Sequence, residues 1–417
     1  MSEQYTATVE AILPGGEGLV RERNHTVLIP NTVVGDRIQF QYTEKKRGVF
    51  RGEIKHIITP SSQRVQAKCS VANTCGGCAL QHLSQPTQAE LKNKWVTDAF
   101  QAFIDKHSTV ISCSPQPNNS GFAGRRRVRW FMDNGKLGFR KRFSHHIVHS
   151  DSCMAITQDL DTLRKQLETS QLPQSIQSIQ AVALSNGTHI ILESEQSCPT
   201  DFTPPKQDNQ QWWWSKLGTP SIQALHKPVQ TLFDTIQITE NKSINIQIGP
   251  NDFIQGHAKG NQILIQQILD WSKDAKRVVD LFSGCGNLSL PLAAATGIEV
   301  VGAELNPASV KAANNNAKRL GLNASYQTLD LFGVFSTEPF INADILILDP
   351  PRKGAKRICQ QIGQLFPKKI IMVNCDIAAG ARDAKALADA GFKLKALRPL
   401  DLFPYTGHVE ALSLWEA

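Results

Sequence analysis

The sequence predicts an α/β protein: a Rossmann-like, mainly parallel sheet in the C-terminal part, preceded by an OB-like β-barrel and a central α/β segment. Three observations carry this. From about residue 262, apolar-striped helices alternate with short buried strands, the rhythm of units that feed a parallel sheet. Residues 5–60 are strand-like throughout, with Gly-rich punctuation and no helical period, as in small barrels. Between the two, residues 69–83 form a cysteine-rich knuckle, CSVANTCGGCALQHL. A chain of 417 residues exceeds one typical core, and the expected boundaries are 1–62, 63–248 and 249–417.

Composition bounds the function. Hydrophobic content of 41% and charged content of 20% are those of a globular protein. No apolar run approaches the ~18–20 residues that cross a bilayer. The start, MSEQYTATVEAILPGG, lacks a basic region followed by an apolar core, so a cytoplasmic location is expected. There the nine cysteines stay reduced, and catalysis or metal binding is favoured over disulfides. A net charge of +8 and a pI near 9.0 favour a polyanionic partner. A monomer is expected.

In the first segment TATVEAI, TVLIP, DRIQFQY and GEIKHII alternate with period two, broken by PGGEG. Arg21, Arg23, Lys45, Lys46 and Arg47 give this barrel a basic surface suited to an oligonucleotide. In the knuckle, Cys69, Cys75 and Cys78 form C-x5-C-x2-C, and Cys153 in HIVHSDSC can supply a fourth thiolate. Four thiolates suit zinc and an iron–sulfur cluster about equally. Residues 85–107 have helical periodicity, 121–248 are strand-like, and 196–211 read as a loop. The stretch 125–143, RRRVRWFMDNGKLGFRKRF, interleaves eight basic residues with Trp130, Phe131, Phe139 and Phe143. The cations are expected mostly to face RNA and the aromatics mostly to pack inside. Neighbours on a strand point to opposite faces, so at least one of Trp212–Trp214 is expected at the surface. Cys113, Cys198, Cys285 and Cys359 lack partners at ligand spacing and read as packing residues.

The C-terminal part carries the chemistry. In VVDLFSGCGNLSLPLA, Gly284 and Gly286 follow an apolar strand and precede a helix, where glycines let the backbone approach a ligand. Phe282 and Asn287 belong to the same loop. Glu304 ends the next strand, where a carboxylate can hold both ribose hydroxyls. Ser289 stands where a dinucleotide fingerprint needs its third glycine. Asp280, repulsive to phosphates, suits the cationic amino group of S-adenosylmethionine, which is therefore favoured over NAD. Asp330, after the third strand, is expected near the adenine.

ILILDPPRKG and IIMVNC put Asp349 and Cys375 at two further strand ends, on the ligand-binding edge. Asp349-Pro350-Pro351 resembles the motif of amino-directed adenine methyltransferases, but Arg352 replaces their aromatic, and that chemistry needs no thiol. Methylation of a pyrimidine carbon does. C5 of uracil becomes nucleophilic when a thiolate adds to C6, and a base must later remove the C5 proton. Glu410, with His408 close by, is the candidate base, its pKa raised by burial.

These pieces resemble the RNA uracil-5 methyltransferase family over essentially the whole chain. The family's nucleophile motif, S-C-N-P-x-T-x-A-R-D, is met by Cys375 and Ala381-Arg382-Asp383, with Asn374 preceding the cysteine and Asp376, Ile377 and Ala379 replacing the family residues after it. Its D-x-F-P-x-T-x-H-x-E motif runs from Asp401 to Glu410. Its F-x-Q-x-N motif is met at Phe253 and Gln255, with His257 in place of the asparagine. The resemblance implies S-adenosylmethionine-dependent methylation of a uridine C5 in RNA through Cys375 and Glu410, with Gln255, Phe282, Asn287, Glu304, Asp330 and Asp349 at the cofactor. It implies that the barrel is a TRAM domain. It also implies that Cys69, Cys75, Cys78 and Cys153 hold a [4Fe–4S] cluster, a combination most like the 23S ribosomal RNA enzymes. A tRNA uracil-5 methyltransferase and a cluster-bearing RNA-binding factor without turnover are the alternatives.

Overall fold

The computed structural model describes residues 3–46, 48–113, 122–205, 207–219, 222–227 and 230–417; Arg47 and the side chain of Lys46 lie outside them. Tyr5–Thr8 (β1), Ala11–Ile12 (β2), Glu17–Glu22 (β3), His25–Pro30 (β4), Arg37–Lys46 (β5) and Val49–Thr59 (β6) form one sheet in the order β1-β5-β6-β4-β3-β2. β1 and β2 are thus at opposite edges, yet only Val9 and Glu10 join them. Such a link reaches no more than about 10 Å, so the edges must meet and the sheet curls into a barrel. The link itself closes the ring, Val9 N donating to Asp36 O just before β5 and Glu10 N to Leu19 O of β3. Val20, Val27, Ile29, Ile38 and Phe40 fill the inside without exposure. On the outside Arg21 and Arg23 stand free in solvent but already face Glu10, Glu3 and Glu22.

Ser84 Oγ accepts from Thr87 N to cap α1, Gln85–Phe100. The expected helix to residue 107 ends there, followed by one 3₁₀ turn. Asp105 ends it for good, because its carboxylate accepts from His107 N and Ser108 Oγ and offers the backbone a turn in place of the helix. Thr109–Val110 then makes a two-residue strand, β7.

The central sheet holds Arg127–Asp133 (β8), Lys136–Arg140 (β9), Ile147–Val148 (β10), Ser178–Leu184 (β11), Gly187–Ser194 (β12), Gln210–Lys216 (β13) and Ile222–Ala224 (β14) in the order β10-β9-β8-β11-β12-β13-β14. Helix α2, Gln158–Thr169, covers one face with Leu160, Leu163 and Leu167. No member of the tryptophan triplet is exposed: Trp212 and Trp214 are in this core, and Trp213 is half-buried, its indole N–H donating to His189 Nδ1. The surface expectation fails because β13 is covered on both faces. Trp130 is core as expected, whereas Phe143 is 72% exposed. Arg126 corrects the reading of its stretch as RNA-facing, since it is buried and paired with Asp234. The hairpin of Phe233–Thr239 (β15) and Lys242–Gln247 (β16) leads onward.

The last sheet comprises Arg277–Leu281 (β17), Glu299–Glu304 (β18), Ala324–Thr328 (β19), Ile345–Leu348 (β20), Lys369–Asn374 (β21), Lys393–Leu400 (β22) and Glu410–Glu416 (β23). Its helices are Ala258–Trp271 (α3), Ser289–Thr296 (α4), Pro307–Leu320 (α5), Lys356–Gln360 (α6) and Ile377–Asp389 (α7). The order is β19-β18-β17-β20-β21-β23-β22-β7, parallel except that β23 runs against both neighbours. This is a Rossmann-like methyltransferase sheet. Its edge strand β7 is supplied from outside 249–417, pairing parallel with β22. One apolar cluster joins the barrel interior, Trp95, Val96 and Phe100 of α1, and Leu346, Leu348 and Ile370 of the sheet. None of the described helices is long and apolar enough to cross a membrane.

Candidate active site

The strand order reverses between β17 and β20, and ligands bind such sheets beyond the carboxyl ends of the strands at the reversal. There the turn after β17 passes through Phe282, at φ +70°, Gly284 at +55° and Gly286 at +87°. A side chain on Gly286 would strike Leu290, within 2.6 Å of its Cβ position. The turn, Gln255 and Asp349 enclose a small cavity lined by Asp280, Phe282, Ser283, Asn287 and Leu288. Gln255 Nε2 donates to Asp349 Oδ2 at 3.2 Å, and Asn287 exchanges amide bonds with Asn261 at 2.9 Å.

Asp280 Oδ2 accepts from Ser289 Oγ at 2.5 Å, while Asp280 Oδ1 and Ser283 Oγ, both buried, meet no hydrogen-bond partner among the described residues. Unpaired buried polar atoms are costly, so this cavity is built for a polar ligand. Burial, reinforced by the mutual repulsion of Asp280 and Asp349, pushes Asp349 up to about 7; burial also takes Asp280 to about 7. Glu304 stands beside the cavity, its Oε2 accepting from Gly284 N and its Oε1 from Asn306 N. Asp330 is exposed in the turn after β19 and accepts from the N–H of Phe332, whose ring lies against that of Phe282. Ser283 carried no sequence signal beyond its place in the turn.

Cys375 follows β21, half-buried, and Glu410 opens β23. Because β23 is antiparallel, its first residue lies at the edge where its neighbours end. Asn374 pairs with Ala411, so the next positions, Cys375 and Glu410, face each other. Burial pushes Glu410 up to about 8, with help from Asp349 and against the pull of Arg352. Burial, then Glu410 and Asp349, push the Cys375 thiol up to about 12, again opposed by Arg352. The motifs mark the thiol and the base, whereas the influence of Arg352 on both emerges only from the fold.

Two motif departures are explained by capping. Asp376 Oδ1 accepts from Ala379 N and starts α7. His257 is buried, accepts from Gly260 N through Nδ1 and starts α3, with its ring against Gly124. Cys285 and Cys359 are buried in apolar clusters, as expected of packing residues.

A wider cleft opens in front of this centre. Arg125, Arg127, Arg142 and Arg352 line it, together with the exposed rings of Phe143 and Phe253 and with Gly15 and Glu17 of the barrel. Cys69, Cys75, Cys78 and Cys153 share a neighbouring enclosed cavity and form no disulfide.

The Methyltransferase small domain family matches residues 252–369. Over 444 residues, spanning 100% of this chain and 96% of the relative, the chain is 32% identical to the 23S rRNA (uracil(1939)-C(5))-methyltransferase RlmD of Shewanella sp. (strain MR-7). The chain belongs to the RNA uracil-C5 methyltransferase family. Within that family it is also 30% identical to RlmD of Pectobacterium atrosepticum over 99% of this chain and 94% of the relative. The crystal structure of Pyrococcus abyssi tRNA (uracil-54, C5)-methyltransferase in complex with S-adenosyl-L-homocysteine superposes with a TM-score of 0.76. That superposition covers 98% of this chain and 99% of the other at 21% identity, a likeness of fold.

Proposed function

We propose that this methyltransferase acts on C5 of a uridine in 23S ribosomal RNA through a covalent adduct between Cys375 and C6. The observation that carries the mechanism is the register of β21 and β23, which sets a thiol against a buried carboxyl at the open end of the sheet. The relatives acting on 23S rRNA match end to end, which supports the substrate. In this reading the protein works in the cytoplasm as a monomer, with a TRAM barrel at 1–62, a cluster-bearing part at 63–248 and a catalytic part at 249–417.

S-adenosylmethionine, when bound, supplies an electrophilic methyl group. Its site would be the small cavity, where Asp280 and Ser283 offer unpaired oxygens, with Asp349 and Gln255 beside the methionine and Glu304 toward the ribose. Cys375 forms the S–C6 bond as its proton leaves to the open cleft, and the C5–C6 electron pair shifts so that C5 can take the methyl. Glu410 then removes the C5 proton, the double bond re-forms and Cys375 is released. Arg352 holds negative charge on both groups. Cys69, Cys75, Cys78 and Cys153 would hold a [4Fe–4S] cluster. Four free thiols around one cavity fit it.

The test separates thiol from base. Cys375→Ala should abolish methylation and leave no adduct. Glu410→Gln should accumulate a denaturation-resistant protein–RNA band whose formation needs S-adenosylmethionine. Methylation surviving in Cys375→Ala, or an adduct mapping to Cys285 or Cys359, would sink the mechanism. Ribosomal RNA from cells lacking the protein should lose one 5-methyluridine in 23S rRNA; a loss in tRNA instead would reassign the substrate.

A further inference from the structure

The connection from β22 to β23, residues 401–409, delivers Glu410 to the site. A connection of this length between antiparallel strands is ordinarily a mobile surface loop. Here it is fastened by residues three hundred positions earlier in the chain. Lys92, on α1 and wholly buried, donates from Nζ to Asp401 Oδ1 at 2.7 Å and to Phe403 O at 3.1 Å. Gln88, one turn before it, accepts from Tyr405 N at 3.0 Å through Oε1 and donates through Nε2 to Leu80 O and Leu83 O. Tyr405 O in turn accepts from Ala79 N at 2.8 Å and Leu80 N at 2.9 Å. Tyr405 itself sits at φ +67°, a conformation that a tyrosine keeps only when its surroundings over-determine it.

Stability is a poor reason for this arrangement. A buried ammonium–carboxylate pair loses on desolvation about what it gains by attraction. What the pair and the Gln88 bridge do accomplish is geometric: they fix the start of the connection at Asp401 and Phe403 and its middle at Tyr405.

We propose that Lys92 and Gln88 are positioning residues for the proton-removal step, holding the 401–409 connection so that Glu410 stands where the C5 proton of the adduct will be. The inference rests on Glu410 being the base. Its selectivity follows from the topology. Cys375 hangs from β21 and α7, and Asp280, Ser283 and Asp349 from β17, its turn and the end of β20, none of which the Lys92 and Gln88 bonds touch. Gln255 differs, its neighbour Gly256 lying against Phe403 of the connection. Loosening the connection displaces Glu410 while leaving the nucleophile and Asp280, Ser283 and Asp349 in place.

The experiment uses the full-length protein, S-adenosylmethionine and unmodified 23S rRNA transcribed in vitro, and follows formation and release of the denaturation-resistant adduct separately. Lys92→Met and Gln88→Ala should slow release roughly tenfold to a hundredfold, the size of effect a misplaced catalytic group gives, and adduct should build up. Adduct formation and S-adenosylmethionine affinity should stay within about twofold to threefold of wild type, a split that general loosening of the fold would not give. Should Lys92→Met fail to fold, Gln88→Ala decides alone. Glu410→Gln runs in parallel. If it traps no adduct, the base assignment fails and takes this inference with it. If it traps adduct while the α1 variants release product at the wild-type rate, or slow formation and release equally, the base stands and the positioning role is wrong.

Discussion

Two buried carboxyls, Asp280 and Glu410, and the half-buried Asp349 are held neutral in part at pH 7 because desolvation penalises their charged forms. The sign of the consequence is fixed by linkage. Each pKa is raised above its unfolded value, so the stability these groups contribute is present at acid pH and is lost as pH rises through about 7 for the aspartates and about 8 for Glu410. A cationic methyl donor has the opposite preference, for ionised partners. The ligand-free protein should therefore lose melting temperature as pH rises from roughly 4 to 8, while the stabilisation conferred by S-adenosylmethionine grows as pH passes through about 7, where its binding releases protons. Calorimetry in buffers of different ionisation heat reads this directly; uptake of protons would contradict the assignment. At the caps, Asp376→Ala should cost about 1 kcal/mol, whereas Asp376→Asn should cost little, because the amide oxygen can still accept from Ala379 N. At this scale the sequence was most legible where chemistry needs a particular atom. Cys375 and Glu410 stand out as a thiol and a carboxylate at strand ends. Asp330 was legible only by its place after a strand, and the turn it stands in is set by its own bond from Phe332 N.

Among the elements, long periodic ones were legible and short ones were not. The striped α3 and the apolar β17, β20 and β21 announce themselves by period and composition. β7, two residues long, has no period to read, and the turn that follows the 3₁₀ turn after α1 is set by one local bond set at Asp105. Lys92 carries no signal of its own in the sequence; its burial follows from its partner Asp401, far along the chain. Trp95 shows what α1 is for: its ring packs in the shared core and its N–H donates to Ile12 O at 2.7 Å, tying helix to barrel. Trp95→Ala should destabilise the protein by about 3–5 kcal/mol, seen as a lower denaturant midpoint. The cavity shared by Cys69, Cys75, Cys78 and Cys153 makes a separate prediction. Anaerobically purified protein should be brown and carry about four irons per chain, bleached on reduction. Stoichiometric zinc without iron or sulfide would refute the cluster.

On the scale of the molecule, the basic character foreseen from net charge is concentrated in the cleft more than on the barrel. Arg21 and Arg23 already face carboxylates, whereas Arg125, Arg127 and Arg142 converge in front of the site beside the exposed ring of Phe143. Replacing Arg127 by Ala should lower the salt slope of RNA binding by about one and leave S-adenosylmethionine affinity unchanged; an unaltered slope would place the RNA elsewhere. Deleting residues 1–60 is the wrong test of the barrel, because it would strip Val20, Ile29 and Phe40 from a core continuous with the catalytic sheet. That continuity was invisible in the sequence, where the segments differ so clearly in texture.

The pairing of Thr109 with Ala396 and of Val110 with Leu397 has a further consequence, for the time course of folding. During synthesis the edge strand and α1 emerge long before the strand they must join. The apolar face of α1 cannot be covered by the sheet until nearly the whole chain is made. Closing so long a loop is slow, and surface exposed meanwhile is prone to aggregate. Refolding from denaturant should accordingly be slow and concentration-sensitive, and α1, barrel and catalytic sheet should gain protection from hydrogen exchange in one late step. Early, independent protection of residues 249–417 would show that the sheet forms without its borrowed edge.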